Sequence, residues 1–387
     1  MAENTASRTF LIVLGMHRSG TSALAGTLGI LGATLPDDLV GKHPFNVKGH
    51  FESKSIKRID EEMLRAIGSA WYDLRSISPE CLETEIVAQA KAKLKEAIQR
   101  HYGMASLLVL KDPRLCRSFP VIRSVIDEHR ASVHVIFCFR NPLDVARSLE
   151  ARDGIALQHG LGLWLRHMLD GEFHSRGLQR VFVDFSDFLQ DWRTTIKRIE
   201  QRLGISLPTN ETSANAVEEF VDARLRHHSA SIAELKTCLG KRVCVHCYET
   251  FGALVSNPND EEAMRQLDRI RDEFERASIL GEAVQEYYAQ ILATKSVETQ
   301  LAEIKTQHAL IEVQLADSQA QLADSHAQLT HSKVQHALVK EQAKEVEARL
   351  VNTEEKMRAM KRSWSWRVTK PFRSFAMFMR WMKKTVY

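Results

Sequence analysis

Long hydrophobic stretches, cysteines and aromatic residues are all scarce in this chain of 387 residues. The longest uninterrupted apolar runs, at residues 10–14 and 135–139, are much shorter than the roughly 20 residues that a membrane-spanning helix needs. Six cysteines are too few for a disulfide scaffold, and 44% hydrophobic residues exclude a collagen-like or wholly disordered chain. The sequence therefore predicts a packed domain of ordinary size with some chain to spare.

An export signal is also missing, because residues 1–8 have neither a basic start nor an apolar core. We therefore expect a disordered N-terminus at residues 1–8, reduced thiols and a cytoplasmic protein. One group of metal-binding residue types stands out: Cys238, Cys244, His246 and Cys247. Its spacing lacks the two separated ligand pairs of a zinc finger, so we predict buried structural thiols and no metal site.

Acidic residues are absent from one end of the chain. Residues 356–387 contain ten Lys or Arg and no Asp or Glu, whereas the preceding part has 43 basic and 49 acidic residues. The body is therefore slightly negative and the tail strongly positive. This asymmetry predicts an anionic partner for the tail, and it gives no reason to expect nucleic-acid binding by the body.

Short apolar runs alternate with helical periodicity between residues 9 and 255. Candidate strands lie at 10–14, 107–110, 133–139 and 181–185, and candidate helices at 86–101, 143–152 and 187–203. Strands that alternate with helices predict an α/β fold with a central parallel sheet covered on both faces. The turn-forming cluster at 256–260 predicts a linker after this domain.

Residues 261–355 change character, because they have almost no glycine and no proline. A near-repeat of seven residues runs through them and predicts a long helical coiled coil, and hence a homo-oligomer. One heptad position is filled by leucine, and another by isoleucine and then serine: Leu301, Leu315, Leu322 and Leu329; Ile304, Ile311, Ser318 and Ser325. Because serine weakens that seam, a long solitary helix is the alternative.

The basic tail, residues 356–387, predicts a second kind of helix that begins near Pro371. Six apolar side chains share one broad face, with Arg373, Arg380 and lysines beside it: Phe372, Phe375, Phe378, Met379, Met382 and Val386. An apolar face with a basic rim is typical of a helix that lies in a membrane interface. The alternative is a helix that packs on the domain or on the coil.

The sharpest local pattern is the loop that follows the first predicted strand and opens the first helix. It reads Gly15-Met16-His17-Arg18-Ser19-Gly20-Thr21-Ser22. Backbone N–H groups of such a loop, together with the helix N-terminus, form a cradle for a phosphate-like anion. Thr21 stands where a nucleotide triphosphatase has its lysine, and the positive charge is Arg18, so the loop departs from an ATPase pattern.

A second anion-binding pattern begins at the end of the strand 133–139. Arg140 and Ser148 are eight residues apart. A forked cation therefore follows the strand, and a hydroxyl donor comes from the next helix. With the first loop, this pair resembles the sulfotransferases that use 3′-phosphoadenosine 5′-phosphosulfate (PAPS). The resemblance covers residues 8–254. It implies a P-loop-like parallel sheet and the binding of the 3′-phosphate by Arg140 and Ser148.

The resemblance also implies roles for the first loop. The 5′-phosphosulfate would lie on Gly15, His17, Arg18, Ser19, Gly20, Thr21 and Ser22. In cytosolic relatives a lysine replaces Arg18, which should contact the bridging or 5′-phosphate oxygens. Gly20, Thr21 and Ser22 would supply backbone and hydroxyl donors, with no metal required.

Two further segments, 48–52 and 108–114, are similar to the bacterial branch of the same family. There Glu52 is the candidate base for the acceptor hydroxyl, with His50 beside it. The alternative for Glu52 is an acidic residue that favours the start of the next helix. Lys111 and Arg114 would orient the substrate or sulfonate, or form a structural ion pair with Asp112.

The resemblance thus implies the transfer of a sulfuryl group from PAPS to a hydroxyl, and with the basic tail it suggests a carbohydrate or glycolipid acceptor at the inner face of a membrane. A P-loop kinase is one alternative, since residues 107–112 could be a strand that ends in a magnesium-binding aspartate. A membrane-tethered coiled-coil scaffold is another. The missing P-loop lysine and the Arg140/Ser148 pair weigh against the kinase.

Overall fold

The protein was analysed as a computed structural model, which describes residues 8–41, 48–128, 131–221, 230–237, 241–278 and 282–385. The predicted disordered segment falls almost wholly outside these residues. Four strands form one sheet: β1 (Thr9–Leu14), β2 (Leu107–Lys111), β3 (Ser132–Phe139) and β4 (Gln179–Asp184). Neighbouring strands are all parallel, in the order β2-β1-β3-β4. The predicted central parallel sheet is therefore confirmed.

Helices occupy most of the remaining described chain. Those that precede β4 are α1 (Thr21–Ile30), α2 (Lys54–Ala66), α3 (Pro79–Leu82), α4 (Glu85–Tyr102), α5 (Leu115–Glu128), α6 (Pro142–Asp153) and α7 (Leu157–His174). Those after it are α8 (Phe185–Gln190), α9 (Trp192–Leu203), α10 (Glu211–Phe220), α11 (Ile232–Leu235), α12 (Lys241–Ser256), α13 (Glu261–Ser278), α14 (Glu282–Arg362), α15 (Trp364–Val368) and α16 (Lys370–Thr385).

Both faces of the sheet are buried, because side chains alternate between them along each strand. On β1, Phe10 and Ile12 belong to one apolar core, which includes residues of α4, α5, α6 and α7. Leu11 and Val13 belong to the opposite core, with residues of α1 and α9. Such two-sided burial explains why β1 and β3 have nearly continuous apolar sequences.

One helix prediction, residues 187–203, is corrected by the structure. The segment forms two helices, α8 and α9, which separate at Asp191, where the backbone is extended. The Asp191 side chain accepts a hydrogen bond from the Thr194 backbone N–H and thereby caps α9. Phe185, expected at the end of a strand, instead begins α8. A helical period alone cannot show that a capping aspartate interrupts it.

The predicted linker at 256–260 is a turn within the compact unit. Helix α13 follows it and contributes Leu267 and Ile270 to the core. Arg166 of α7 pairs with Glu275 of α13 at 2.5 Å. The division of the chain into two compact units falls after residue 296 instead. Of the predicted buried thiols, Cys244 and Cys247 lie in the core on α12, beside the exposed His246, and Cys238 lies outside the described residues.

The second unit, residues 297–387, is helical in its described part except at Ser363 and Thr369, which separate the helices. Helix α14 is 81 residues long, which corresponds to about 120 Å. Its heptad leucines, such as Leu315 and Leu322, are more than half exposed in the single chain. A long helix is thus present at the predicted coiled coil, and its oligomeric state stays a prediction. Among the described residues, no helix has the length and apolar content to cross a membrane.

Candidate active site

The candidate site lies at the carboxyl edge of the sheet. Because all four strands are parallel, the residues that follow β1, β2 and β3 meet at this edge. The central strand β1 pairs with β2 on one side and with β3 on the other. The strand order therefore reverses at β1, because the next two strands in the chain lie on opposite sides of it. In open α/β sheets this is the position where ligands bind.

The loop between β1 and α1 has the backbone of an anion cradle. Gly15 passes so close to β3 that a Cβ atom there would lie 2.1 Å from the Cys138 carbonyl oxygen. Arg18 and Gly20 have left-handed backbone angles, with φ of 68° and 91°. Such turns direct successive N–H groups to one side, and the first N–H groups of α1 lack partners within the helix. The loop therefore provides N–H donors for an anion.

The two predicted anion-binding patterns meet in this structure, although about 130 residues separate them. Nε of Arg18 donates to Oγ of Ser148 at 2.8 Å. Nη1 of Arg140 donates to the carbonyl oxygen of Arg18 at 3.4 Å. Both Arg140 and Ser148 are more than nine-tenths buried. The first loop, the end of β3 and helix α6 thus form a single site.

The charge of this site is strongly positive around Arg18. Burial, with the nearby charges of Arg152 and Arg140, lowers the pKa of Arg18 to about 10. Asp153 acts in the opposite direction. Arg140 pairs with Asp144 and Arg152 with Asp153, and a bound anion would further offset the repulsion among the three guanidinium groups. Phosphate and sulfate are anions that arginine recognises with paired N–H groups.

A second set of side chains links β2 to α1 and to the segment before α2. Nζ of Lys111 donates to Oε1 of Glu52 at 2.5 Å, to Oγ of Ser22 at 3.1 Å and to the carbonyl oxygen of His50 at 3.0 Å. Ser22 also donates to the His50 carbonyl oxygen, at 3.2 Å. Lys111 and Glu52 are both buried. His50 joins this network through its backbone carbonyl oxygen.

Arg114 extends this network on the other side of Glu52. Its guanidinium contacts Asp112 at 2.9 Å, Glu61 at 2.6 Å and Glu52 at 3.7 Å. Although burial opposes the charge, these carboxylates raise the pKa of Arg114 above its usual value, Asp112 most of all. The predicted ion pair between Arg114 and Asp112 is therefore present. Arg114 thus holds the carboxylate of Asp112 through Oδ1.

His17 packs against an aromatic ring at the mouth of the loop. Its ring centroid is 4.6 Å from that of Trp71. Burial, with the charges of Arg114 and Arg152, lowers the pKa of His17 well below its usual range, so the imidazole is neutral. Within the described chain its Nε2 makes no hydrogen bond. The ring can therefore offer a neutral polar atom to a ligand of the loop.

Several residues that shape the site were not predicted from the sequence. Phe185 lies against Gly20, where a Cβ atom would approach the ring to 2.0 Å, and under Arg140 at 5.6 Å. Asp144 binds Arg140 at 3.2 Å and accepts from the Ala230 N–H at 2.6 Å. The spacing of four residues between Arg140 and Asp144 could have indicated their pairing. No local pattern marks Phe185, whose position follows from the end of β4.

Asp60 of α2 is a further missed residue. It is buried, and within the described chain its Oδ2 makes no hydrogen bond. Burial, together with the charge of Asp112, raises the pKa of Asp60 from its ordinary 3.8 to about 7. In the sequence Asp60 stands among charged residues, a pattern typical of an exposed helix, so its burial is not predicted. It is a buried acid beside the Arg114 network.

Comparison with known proteins gives only distant similarities. No family model and no curated protein matches the chain. Among solved structures, the sulfotransferase domain of the Synechococcus PCC 7002 olefin synthase is 16% identical with a TM-score of 0.36, covering 64% of this chain and 96% of that domain.

Two other solved structures are similar at the same low level. The sulfotransferase domain from the curacin biosynthetic pathway is 11% identical with a TM-score of 0.31, covering 57% of this chain and 89% of that one. Mouse sulfotransferase SULT7A1 complexed with PAP is 14% identical with a TM-score of 0.31, covering 72% and 88%. Similarities this low do not establish a function for this chain.

Proposed function

We propose that the protein transfers a sulfuryl group from PAPS to an acceptor hydroxyl. The observation that carries this proposal is the contact between Arg18 and Ser148, because it joins the two predicted anion-binding patterns in one buried, positive site. A bisphosphate cofactor needs two anion-binding places a short distance apart. A single phosphate cradle would not need the second one.

The residues present fit such a cofactor. The N–H groups of the first loop, with Arg18, Thr21 and Ser22, would hold the 5′-phosphosulfate. Arg140 and Ser148 would hold the 3′-phosphate, with Asp144 fixing the Arg140 guanidinium at 3.2 Å. When bound, PAPS supplies an activated sulfuryl group and a bisphosphate leaving group. The arginines would stabilise negative charge that develops on the oxygens.

Glu52 is proposed as the group that takes the proton of the acceptor hydroxyl. Lys111 and Arg114 hold its carboxylate in place, at 2.5 and 3.7 Å. A role in which Glu52 only orients Lys111 gives a different kinetic result. Loss of a base by Glu52→Gln should lower kcat by about 10²- to 10⁴-fold, whereas a glutamine that still orients Lys111 through its amide oxygen should keep most of the rate.

The acceptor class and the assembly are also proposals. A carbohydrate or glycolipid hydroxyl follows from the resemblance to the bacterial branch of the family. A homo-oligomer follows from the heptad leucines of α14, which are exposed in the single chain. Incubating the protein with sulfur-labelled PAPS and membrane, glycan and protein fractions would identify the fraction that takes up label.

Calorimetric titration with adenosine 3′,5′-bisphosphate tests the cofactor. We expect binding without metal, and a loss of at least about tenfold in affinity for Arg140→Ala, since a hydrogen bond to a charged group contributes ~1.5–3 kcal/mol. Arg123→Ala is the matched control, because Arg123 forms the same kind of pair with Asp127, four residues on, but at the surface.

The same titration with ATP and Mg²⁺ separates the alternatives. Binding of Mg-ATP without binding of the bisphosphate would overturn the proposal in favour of a kinase. Binding of neither ligand would leave the globular unit as a docking module of a scaffold. Equal binding by the wild type and Arg140→Ala would show that the bisphosphate occupies another place.

A further inference from the structure

The basic tail presents an amphipathic surface that the proposed reaction does not use. We define the tail face as the apolar side of α15 and α16, which includes Trp364, Phe372, Phe375, Phe378, Met379, Trp381 and Met382. Each of these side chains is more than two-fifths exposed, and Trp364 reaches 81%. So many large exposed apolar groups in two short helices mark an interaction surface.

The arrangement of the tail face follows from helical geometry. Phe375, Met379 and Met382 are three or four residues apart and so share one side of α16. Arg373 and Arg380 are seven residues apart and fall together beside it. The helix therefore separates an apolar side from a cationic one, without a single acid in residues 356–387.

The charge of the tail discriminates between its partners. A second copy of this chain would bring ten more Lys or Arg against the first ten, with no acid in either tail to pair with them. An anionic bilayer surface offers both an apolar layer for the aromatic side chains and negative headgroups for the arginines. We propose that the tail face binds the surface of an anionic membrane.

The tail would lie in the plane of the membrane. Helix α16 has 16 residues, which corresponds to about 24 Å, shorter than the hydrocarbon core of a bilayer at about 30 Å. Its arginines and lysines also require contact with water or headgroups. Trp364 and Trp381 are of the residue type that prefers the headgroup level. This inference is independent of the proposed sulfuryl transfer.

Co-sedimentation of the full chain with vesicles tests the proposal. We expect binding to vesicles of phosphatidylcholine mixed with phosphatidylglycerol, weak binding to phosphatidylcholine alone, and release by added salt. The triple variant Arg367→Gln, Arg373→Gln, Arg380→Gln should bind the mixed vesicles on the order of 100-fold more weakly. The matched control neutralises three exposed lysines of α14: Lys333→Gln, Lys340→Gln and Lys344→Gln.

A second variant tests the apolar component without changing the charge. The double variant Phe375→Ser, Met379→Ser should lose at least about tenfold in vesicle affinity, because it removes two apolar side chains that would be buried in the bilayer. Its control, Val313→Ser with Val334→Ser, removes two equally exposed valines of α14 and should bind as the wild type does.

Three results would overturn the proposal. The wild type could stay in the supernatant with both kinds of vesicle. It could bind both kinds equally, with no effect of the arginine substitutions. Finally, light scattering without lipid could show that the Phe375/Met379 variant falls apart into smaller species while the control does not, which would assign the tail face to a second copy of the chain.

Discussion

The two units of this protein differ in the burial of their ion pairs, because some pairs of the globular unit are buried, whereas those described in the second unit are exposed. In the globular unit Arg180 pairs with Glu172 at 2.8 Å, and both side chains are almost completely buried. In the second unit Arg349 pairs with Glu345 at the same distance, and both are more than three-fifths exposed. The same contact therefore stabilises the tertiary structure of one unit, whereas in the other it lies on the surface of a single helix.

This difference shows what each unit needs from outside. The globular unit buries several ion pairs and two apolar cores, and it has a positive site around Arg18. The second unit leaves its heptad leucines and its tail face exposed in the single chain. We therefore expect a small anion to complete the first unit, and macromolecular or membrane partners to complete the second.

The largest expected effect on stability comes from breaking a buried ion pair. Glu172 binds Arg180 and Arg176 at 2.8 Å each, so Glu172→Ala leaves the buried Arg180 without its carboxylate and leaves Arg176 with Asp268. We expect a loss of about 3–5 kcal/mol in the free energy of unfolding, because uncompensated buried charges are costly. Glu345→Ala, the exposed counterpart, should change it by less than about 0.5 kcal/mol. Chemical denaturation measures the free energy of unfolding of both variants, and equal losses of stability would contradict this expectation.

A smaller effect is expected from adding one methyl group to the anion cradle. Gly20→Ala places a Cβ 2.0 Å from the Phe185 ring at a left-handed backbone position. We expect a loss of about 1–3 kcal/mol in stability and weaker bisphosphate binding, because the loop has to shift. Gly252→Ala, on α12, meets no atom within 4 Å.

Gly252→Ala therefore serves as the control, and it should keep or raise the stability by up to about 1 kcal/mol. Thermal unfolding and calorimetric titration of the two variants measure both effects. An unchanged bisphosphate affinity for Gly20→Ala would show that the β1–α1 loop is not the cradle.

The effect that is smallest for each step of the experiment is a pH dependence from Asp60, on the order of 1 kcal/mol for each pH unit. Its pKa is raised to about 7 in the folded protein, against an ordinary value of 3.8. Between these values the folded state holds a proton that the unfolded state has lost, so Asp60 lowers the stability as the pH rises from about 4 to about 7. Above that range its effect is constant.

Asp60→Asn should remove this dependence. The melting temperature of the variant, relative to the wild type, should rise between pH 5 and pH 8, on the order of 1 kcal/mol in stability for each pH unit below about 7. Asp127→Asn changes an exposed carboxyl and should give no such trend. A constant difference between Asp60→Asn and the wild type across this range would refute the raised pKa.

The local patterns of the sequence predicted much of the fold. Apolar runs located β1 and β3 because both faces of a parallel strand are buried. The glycine-rich loop and the Arg140/Ser148 spacing predicted two anion-binding segments, and the structure brings these two segments into contact. The contact of Arg18 with Ser148 then depends only on the order of strands in the sheet.

Tertiary contacts decide the features that the sequence did not predict. Asp191 ends one helix and caps another, and helical periodicity does not register such an interruption. Helix α13 has a charge pattern that resembles that of α14, but it belongs to the globular unit. Its Leu267 packs in the apolar core, and its Arg271 donates to the carbonyl oxygen of Leu169. The raised pKa of Asp60 depends on the neighbouring Asp112, which lies some fifty residues away in the sequence.

Hydrogen–deuterium exchange of the full chain, with and without adenosine 3′,5′-bisphosphate, tests the central claim most directly. If one anion site joins the two patterns, the ligand slows exchange in residues 15–24 and in residues 140–150 together, without metal, and leaves 297–385 unchanged. Protection of only one of these segments, or protection that requires ATP and Mg²⁺, would contradict the account.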